Sequence, residues 1–159
     1  METRSRRSML KGAALAAGAA TAAATLAAPS ASAKQKPQKK AYGFGASRKP
    51  GEETPLFNAA VSFGNLLFLA GVGYHKPGTI QEATKAVLDE IEGNLKAAGS
   101  SMENVLKVSV FLNDIKDYAG MNEAYRGRFG GMPPVRTTVA PMGGVPGNSL
   151  LEIDVIAYI

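Results

Sequence analysis

The sequence contains no cysteine and a single histidine, and each shortage excludes a class of chemistry. Without cysteine there is no disulfide framework, no thiolate nucleophile and no cysteine-ligated metal centre. One imidazole, that of His75, cannot supply the histidine pair of a His-His-carboxylate metal site, and any Ser-His-Asp triad would have to include it. We therefore predict no metal site.

The size and charge of the chain favour one domain with a mildly acidic surface. The 159 residues are 45% hydrophobic and 19% charged, which suits a single core, and 18 glycines and 9 prolines favour many turns. The net charge of +5 is uneven, since residues 1–49 hold ten basic residues and one acidic, and residues 50–159 hold eight basic and twelve acidic. Nucleic acid is therefore not predicted as a partner.

Residues 1–33 resemble a twin-arginine export signal. Arg6 and Arg7 precede an apolar residue, a leucine and a lysine, and an alanine-rich run follows over residues 12–28. That run is shorter and less apolar than the roughly 20 residues needed to span a bilayer. Residues 31–33 (Ala-Ser-Ala) match the small-x-small pattern of a cleavage site. We expect export to the periplasm or medium, with no stable membrane insertion after cleavage.

Cleavage is expected after Ala33, so the exported protein should begin at Lys34. Amino-terminal sequencing of the exported protein tests this expectation. Soluble protein that still begins with Met1 would contradict it.

The segment 34–54 is polar, contains proline and is rich in lysine, which is typical of a linker. Within it, residues 41–44 are predicted as a short edge strand. The basic run is interpreted as a solvated tail, with contact to an anionic surface as the alternative. The folded domain is predicted to occupy residues 55–159.

The pattern from residue 60 onward predicts strand, strand, helix, strand, helix, strand, strand. Gly64-Asn65 is typical of a hairpin turn, Thr79 and Glu82 form a capping box, and Gly99 ends the first helix. Its apolar stripe comprises Ala83, Val87, Ile91, Leu95 and Ala98. Leu106, Val108, Val110 and Leu112 are expected to share the core face of a strand.

Asn113 or Asp114 is expected to cap the second helix, whose predicted buried stripe comprises Tyr118, Met121, Tyr125 and Phe129. Two strands follow, over residues 135–140 and 151–158. The order predicts an α+β fold with both helices on one face of a mixed sheet.

The other face of that sheet is predicted to carry the functional residues. Alternation in the last strand turns Glu152 away from the helices, and the same reasoning places Arg136 and Thr138 on that bare face. The face mixes apolar and charged residues, so we expect it to bind copies of the chain. Arg136 and Glu152, on strands taken to be neighbours, are expected to share a cleft between subunits.

Arg136 is the strongest candidate for ligand binding. A guanidinium keeps its charge and grips a carboxylate with two parallel hydrogen bonds. The alternative is a cross-strand ion pair between Arg136 and Glu152, worth at most about 1 kcal/mol if exposed. The sequence leaves both interpretations open.

Four segments resemble the RidA/YjgF family of reactive-intermediate deaminases. They are residues 64–71 in the hairpin, 122–125 (Asn-Glu-Ala-Tyr), 134–139 (Pro-Val-Arg-Thr-Thr-Val) and 151–157 (Leu-Glu-Ile-Asp-Val-Ile-Ala). The resemblance covers nearly all of the domain from Pro55. It implies a chorismate-mutase-like α+β homotrimer with sites between subunits.

The resemblance implies hydrolysis of small 2-imino acids, such as 2-iminobutanoate and 2-iminopropanoate, and of their enamines, to 2-keto acids and ammonia, without a cofactor. It implies that Arg136 holds the substrate carboxylate, and that Glu152 and the backbone near Thr138 position the attacking water. Asn122 matches a pocket-lining position of the family, with a structural role for its amide as the alternative. The chain has Ala70, before Gly71, where many members have serine.

Two further departures concern substrate binding. Thr138 stands where many members have cysteine, and Phe57 takes the place of a tyrosine. Losing a hydroxyl leaves a pocket more apolar and removes a selective hydrogen bond. Two alternatives to the deaminase stay open: an exported, non-catalytic trimeric binder of small carboxylates, and a ribonuclease, which the acidic domain and single histidine disfavour.

Overall fold

A computed structural model describes residues 36–43 and 49–159 of the chain. The predicted export signal lies outside the described residues. The helices are α1, Ile80–Ala97, and α2, Tyr118–Tyr125. The strands are β1, Lys39–Tyr42; β2, Ala60–Phe63; β3, Leu66–Gly73; β4, Val105–Leu112; β5, Val135–Val139; and β6, Leu151–Tyr158.

The strands form one mixed sheet in the order β1-β2-β3-β6-β4-β5. The β4–β5 pair is parallel and the other pairs are antiparallel. The predicted α+β fold is confirmed. A short edge strand was predicted within the segment interpreted as a linker, and β1 lies there, although it begins two residues earlier than predicted. Because β1 pairs with β2, the sheet begins before the predicted domain boundary at residue 55.

Helix α1 begins and ends where the sequence predicts. The Thr79 hydroxyl accepts a hydrogen bond from the Glu82 amide, and the Glu82 carboxylate accepts one from the Thr79 amide at 2.8 Å. The helix ends at Ala97, and Gly99 follows at φ 84°, a left-handed conformation that favours glycine. This helix lays its buried face on the sheet.

The core fills the space between the helices and one face of the sheet. Leu67, Leu69, Val108, Val110, Leu151, Ile153 and Val155 from the strands pack there with Val87, Leu88, Ile91 and Leu95 of α1 and Met121 of α2. Leu106 was expected in this core but is 46% exposed. The β4–β6 register shifts between Val105 and Lys107, so Val105 takes the buried place instead.

Helix α2 is shorter than the pattern predicts. Asp114 caps a 3₁₀ turn, Ile115–Asp117, by accepting a hydrogen bond from the Lys116 amide, and α2 follows. Of the predicted stripe, Met121 and Phe129 are buried, whereas Tyr118 is 44% exposed. Across the described ranges, neither helix combines the length and apolar character needed to cross a membrane.

The face of the sheet opposite the helices carries large apolar side chains at its surface. Its exposed members are Phe63, Leu66, Phe68, Val135, Val139 and Tyr158. Several exposed large apolar side chains on one face of a sheet are typical of an interaction site. We call this surface the open face.

Candidate active site

Arg136 and Thr138 lie on the helix side of the sheet, which corrects the prediction that they occupy the bare face. In the parallel register, Arg136 lies beside Val108 and Thr138 beside Val110. Both valines are buried in the core beneath the helices. Because side chains of paired residues point the same way, Val135 and Val139 lie on the open face and Arg136 points towards α2.

The Arg136 guanidinium rests on aromatic side chains of α2. Its central carbon lies 4.6 Å from the ring centre of Tyr125 and 5.9 Å from that of Tyr118. One terminal nitrogen is 3.9 Å from the sulfur of Met121, and the other is 3.5 Å from the Tyr118 hydroxyl. No acidic side chain in the described part of the chain forms an ion pair with Arg136. The rings hold a half-buried cation whose charge is available to an anion.

Two buried hydroxyls lie in the same region without a hydrogen-bond partner among the described residues. They belong to Tyr125 and Thr138. Burial raises the pKa of the Tyr125 hydroxyl, and the positive charge of Arg136 opposes part of that rise. An unpaired buried hydroxyl costs about 1–3 kcal/mol, so native structures contain few of them. These two hydroxyls lie beside Arg136, which has no acidic partner among the described residues. Together they indicate a site for a polar ligand or ordered water.

Asn122 lies on α2 beside this region. It borders a cavity of about 310 Å³ that Tyr125 also lines, together with Arg126, Gly127, Phe129, Gly130 and Pro133. Tyr125 therefore contacts the guanidinium and also lines the cavity. The structure places Asn122, Arg136 and Thr138 on the same side of the sheet.

Glu152 lies on the open face, away from Arg136. It is paired in register with Phe111 of β4 and Gly73 of β3. Strand β4 lies between β5 and β6, so the expectation that Arg136 and Glu152 occupy neighbouring strands is wrong. Since the two side chains lie on opposite faces of the sheet, the cross-strand ion pair within one chain is also wrong.

Gly71 lies against the Glu152 carboxylate. The β3–β6 register shifts between Leu69 and Val72, so Ala70 and Gly71 form an irregular stretch of β3. A Cβ at residue 71 would overlap Oε1 of Glu152 and lie 2.6 Å from its Cδ. Glycine at this position therefore lets the carboxylate lie against the strand.

The predicted site residues thus fall into two groups. One group, on the helix side of the sheet, comprises Asn122, Arg136 and Thr138. The other group comprises Ala70, Gly71 and Glu152. Phe57 lies in the segment before β2 and is 60% exposed. Sequence reasoning placed Tyr118 and Tyr125 in the core and missed their contact with the cation, although their spacing of seven residues puts both rings on one side of α2.

Comparison with known proteins identifies the class to which this fold and site belong. The family model described as Endoribonuclease L-PSP matches residues 48–159. The chain belongs to this family, and the resemblance of its motifs to the RidA/YjgF proteins is confirmed.

Several relatives are similar over most of the folded domain. The mitochondrial protein mmf2 of Schizosaccharomyces pombe is 42% identical over 109 residues, which are 64% of this chain and 86% of mmf2. The chloroplastic Reactive Intermediate Deaminase A of Arabidopsis thaliana is 31% identical over 108 residues, 64% of this chain and 57% of that protein. The crystal structure of a YjgF family member from Neisseria meningitidis has a TM-score of 0.61 and 32% identity, covering 67% of this chain and 89% of that one.

Proposed function

We propose that the protein hydrolyses small 2-imino acids and their enamines to 2-keto acids and ammonia, at sites formed between copies of the chain. The observation that carries the proposal is the environment of Arg136, a half-buried guanidinium on two tyrosine rings with no acidic partner among the described residues. Such a group recognises a small carboxylate. The similarity to a relative named for reactive intermediate deamination supports this reaction.

The positions of Arg136 and Glu152 are the reason for placing the site between copies. They lie on opposite faces of one sheet, so a ligand that touches both must lie between two molecules. The exposed apolar side chains of the open face supply a surface that a second copy would cover. A contact between the β5 edge of one copy and the open face of the next is heterologous, and such contacts form a ring when the rotation from copy to copy closes. The ring proposed is the homotrimer that the family resemblance implies.

The proposed reaction divides the work between the two residues. Arg136 of one copy holds the substrate carboxylate. Glu152 of the next copy accepts a proton from water while the water oxygen bonds to the imino carbon and the C=N electron pair moves to nitrogen. Glu152 returns the proton to nitrogen, the C–N bond breaks with its electron pair, and the hydroxyl proton leaves with ammonia as ammonium. One protonated imine and one water give one keto acid and one ammonium ion.

A coupled assay tests the proposal. An amino-acid oxidase generates 2-iminopropanoate from alanine, and the release of pyruvate is followed with and without the protein. We expect release faster than in buffer. A rate equal to that in buffer would contradict catalysis and favour the alternative, an exported binder of carboxylates, for which titration calorimetry with small 2-keto acids would then show binding.

Replacing Gly71 with alanine is expected to lower the rate about 10²-fold, because the added Cβ displaces the Glu152 carboxylate and a shift of about 1 Å in a reacting group has effects of this size. Gly93→Ala is the matched control, since Gly93 lies exposed in α1 with open space at its Cβ position. Initial rates of the two variants under the coupled assay check the prediction. Equal rates would show that the carboxylate does not need its present position.

A further inference from the structure

We infer that the site prefers 2-imino acids with branched apolar or aromatic side chains over the alanine-derived one. The inference rests on the proposed function and concerns which substrates the same site accepts. It is drawn from a cavity beside Glu152 that the reaction itself does not require.

The cavity is almost entirely apolar. Phe111, Pro141, Val145 and Pro146 line it with Glu152, and its volume is about 140 Å³. Glu152 is the charged residue of this lining, and the other four side chains are apolar. An apolar cavity of about 150 Å³ is large enough to hold a benzene ring. A methyl group would leave most of the cavity empty, whereas an isobutyl or benzyl group would fill it.

The position of the imino carbon determines where the substrate side chain lies relative to the cavity. In the proposed reaction, Glu152 lies within hydrogen-bond reach of the water that attacks the imino carbon. The carboxylate attached to that carbon is held by Arg136 of another copy. The side chain is attached to the same carbon, so it begins beside Glu152, which also lines the cavity.

Hydrogen bonds hold the walls of the cavity in place. The Val145 amide donates to the side-chain oxygen of Asn113 at 3.0 Å, and Nδ1 of His75 lies 3.1 Å from the carbonyl oxygen of Gly147. Val145 itself is only 6% exposed. Phe111, another residue of the lining, lies on β4. A cavity with fixed walls selects its ligand by size.

The experiment compares three substrates on the assembled protein. An amino-acid oxidase generates the 2-imino acids of alanine, leucine and phenylalanine, and kcat/KM is measured for each above the rate in buffer. We expect the leucine-derived and phenylalanine-derived substrates to exceed the alanine-derived one by at least roughly tenfold, as is usual when added carbons fill an apolar pocket.

Val145→Phe fills the cavity and is expected to lower kcat/KM for the two large substrates at least roughly tenfold, while the alanine-derived substrate changes less. Val145→Leu is a milder variant that should lower kcat/KM for the phenylalanine-derived substrate more than for the leucine-derived one. Size-exclusion chromatography confirms that each variant assembles as the unmodified protein does.

The outcomes separate the two proposals. An equal or reversed order of the three substrates, or an equal loss on all three in Val145→Phe and Val145→Leu, would overturn the inference and leave the proposed function standing. Failure to accelerate the hydrolysis of any of the three would overturn the proposed function and the inference together.

Discussion

Replacing Arg136 with alanine is expected to lower kcat/KM for imine hydrolysis about 10²- to 10⁴-fold. The substitution removes two charge-assisted hydrogen bonds to the substrate carboxylate, each worth about 1.5–3 kcal/mol, and tenfold in rate corresponds to about 1.4 kcal/mol. The measurement is the coupled assay with substrate concentration varied. The loss should appear mainly as a rise in KM, because in the proposed site the carboxylate is bound before the reaction and remains bound during it.

Arg136→Lys is the matched variant, because lysine keeps the positive charge and loses the planar fork. We expect its kcat/KM to lie between those of the unmodified protein and Arg136→Ala. Thermal unfolding should show that both variants remain folded. An Arg136→Ala protein that is folded, assembled and as active as the unmodified protein would contradict the assignment of Arg136.

Replacing Glu152 with glutamine is expected to lower kcat about 10²- to 10⁴-fold, which is the usual contribution of a positioned general acid–base group. Glutamine preserves the shape of the side chain and cannot accept the proton from water. KM should change little, because the substrate carboxylate is proposed to bind to Arg136. Measured values of kcat and KM for 2-imino acids check both expectations.

Asp154→Asn is the control for Glu152→Gln. Asp154 lies two residues further along β6, so it shares the open face and also loses a negative charge on substitution. We expect its kcat to match that of the unmodified protein. Equal losses in the two variants would show that the charge of the face matters and that Glu152 has no special role.

Local signals in the sequence predicted most of the elements. The capping box at Thr79 and Glu82, the glycine after α1 and the alternation along β6 each depend on residues close together in the chain. Such signals can be read without knowledge of the rest of the fold. The α+β arrangement with the helices on one side then follows from the order of the elements.

The faces of β5 could not be read from the sequence alone. Alternation fixes which residues share a face but does not say which face is buried. Val135 and Val139 favoured the core, yet they lie on the open face, 69% and 44% exposed. The proposed reason is that a second copy covers them. The pairing of β5 with β4 and the contacts of Arg136 with α2 show that Arg136 lies on the helix side.

The order of the strands in the sheet could not be predicted from the sequence either. β5 and β6 follow each other in the chain, but β4 lies between them because β5 pairs with β4 in parallel. Pairing between distant segments decides this order, and one sequence carries little information about it. The same holds for Leu106, which a local shift in register turns out of the core.

The most direct test of a site shared between copies is to mix Arg136→Ala and Glu152→Gln chains in equal amounts and let them assemble together. In random assemblies about one contact in four joins an intact Arg136 of one copy to an intact Glu152 of the next, since each heterologous contact uses different surfaces of the two copies. We predict about one quarter of the activity of the unmodified protein, although each variant alone is nearly inactive. A mixed assembly that stays as inactive as its parents would contradict the account.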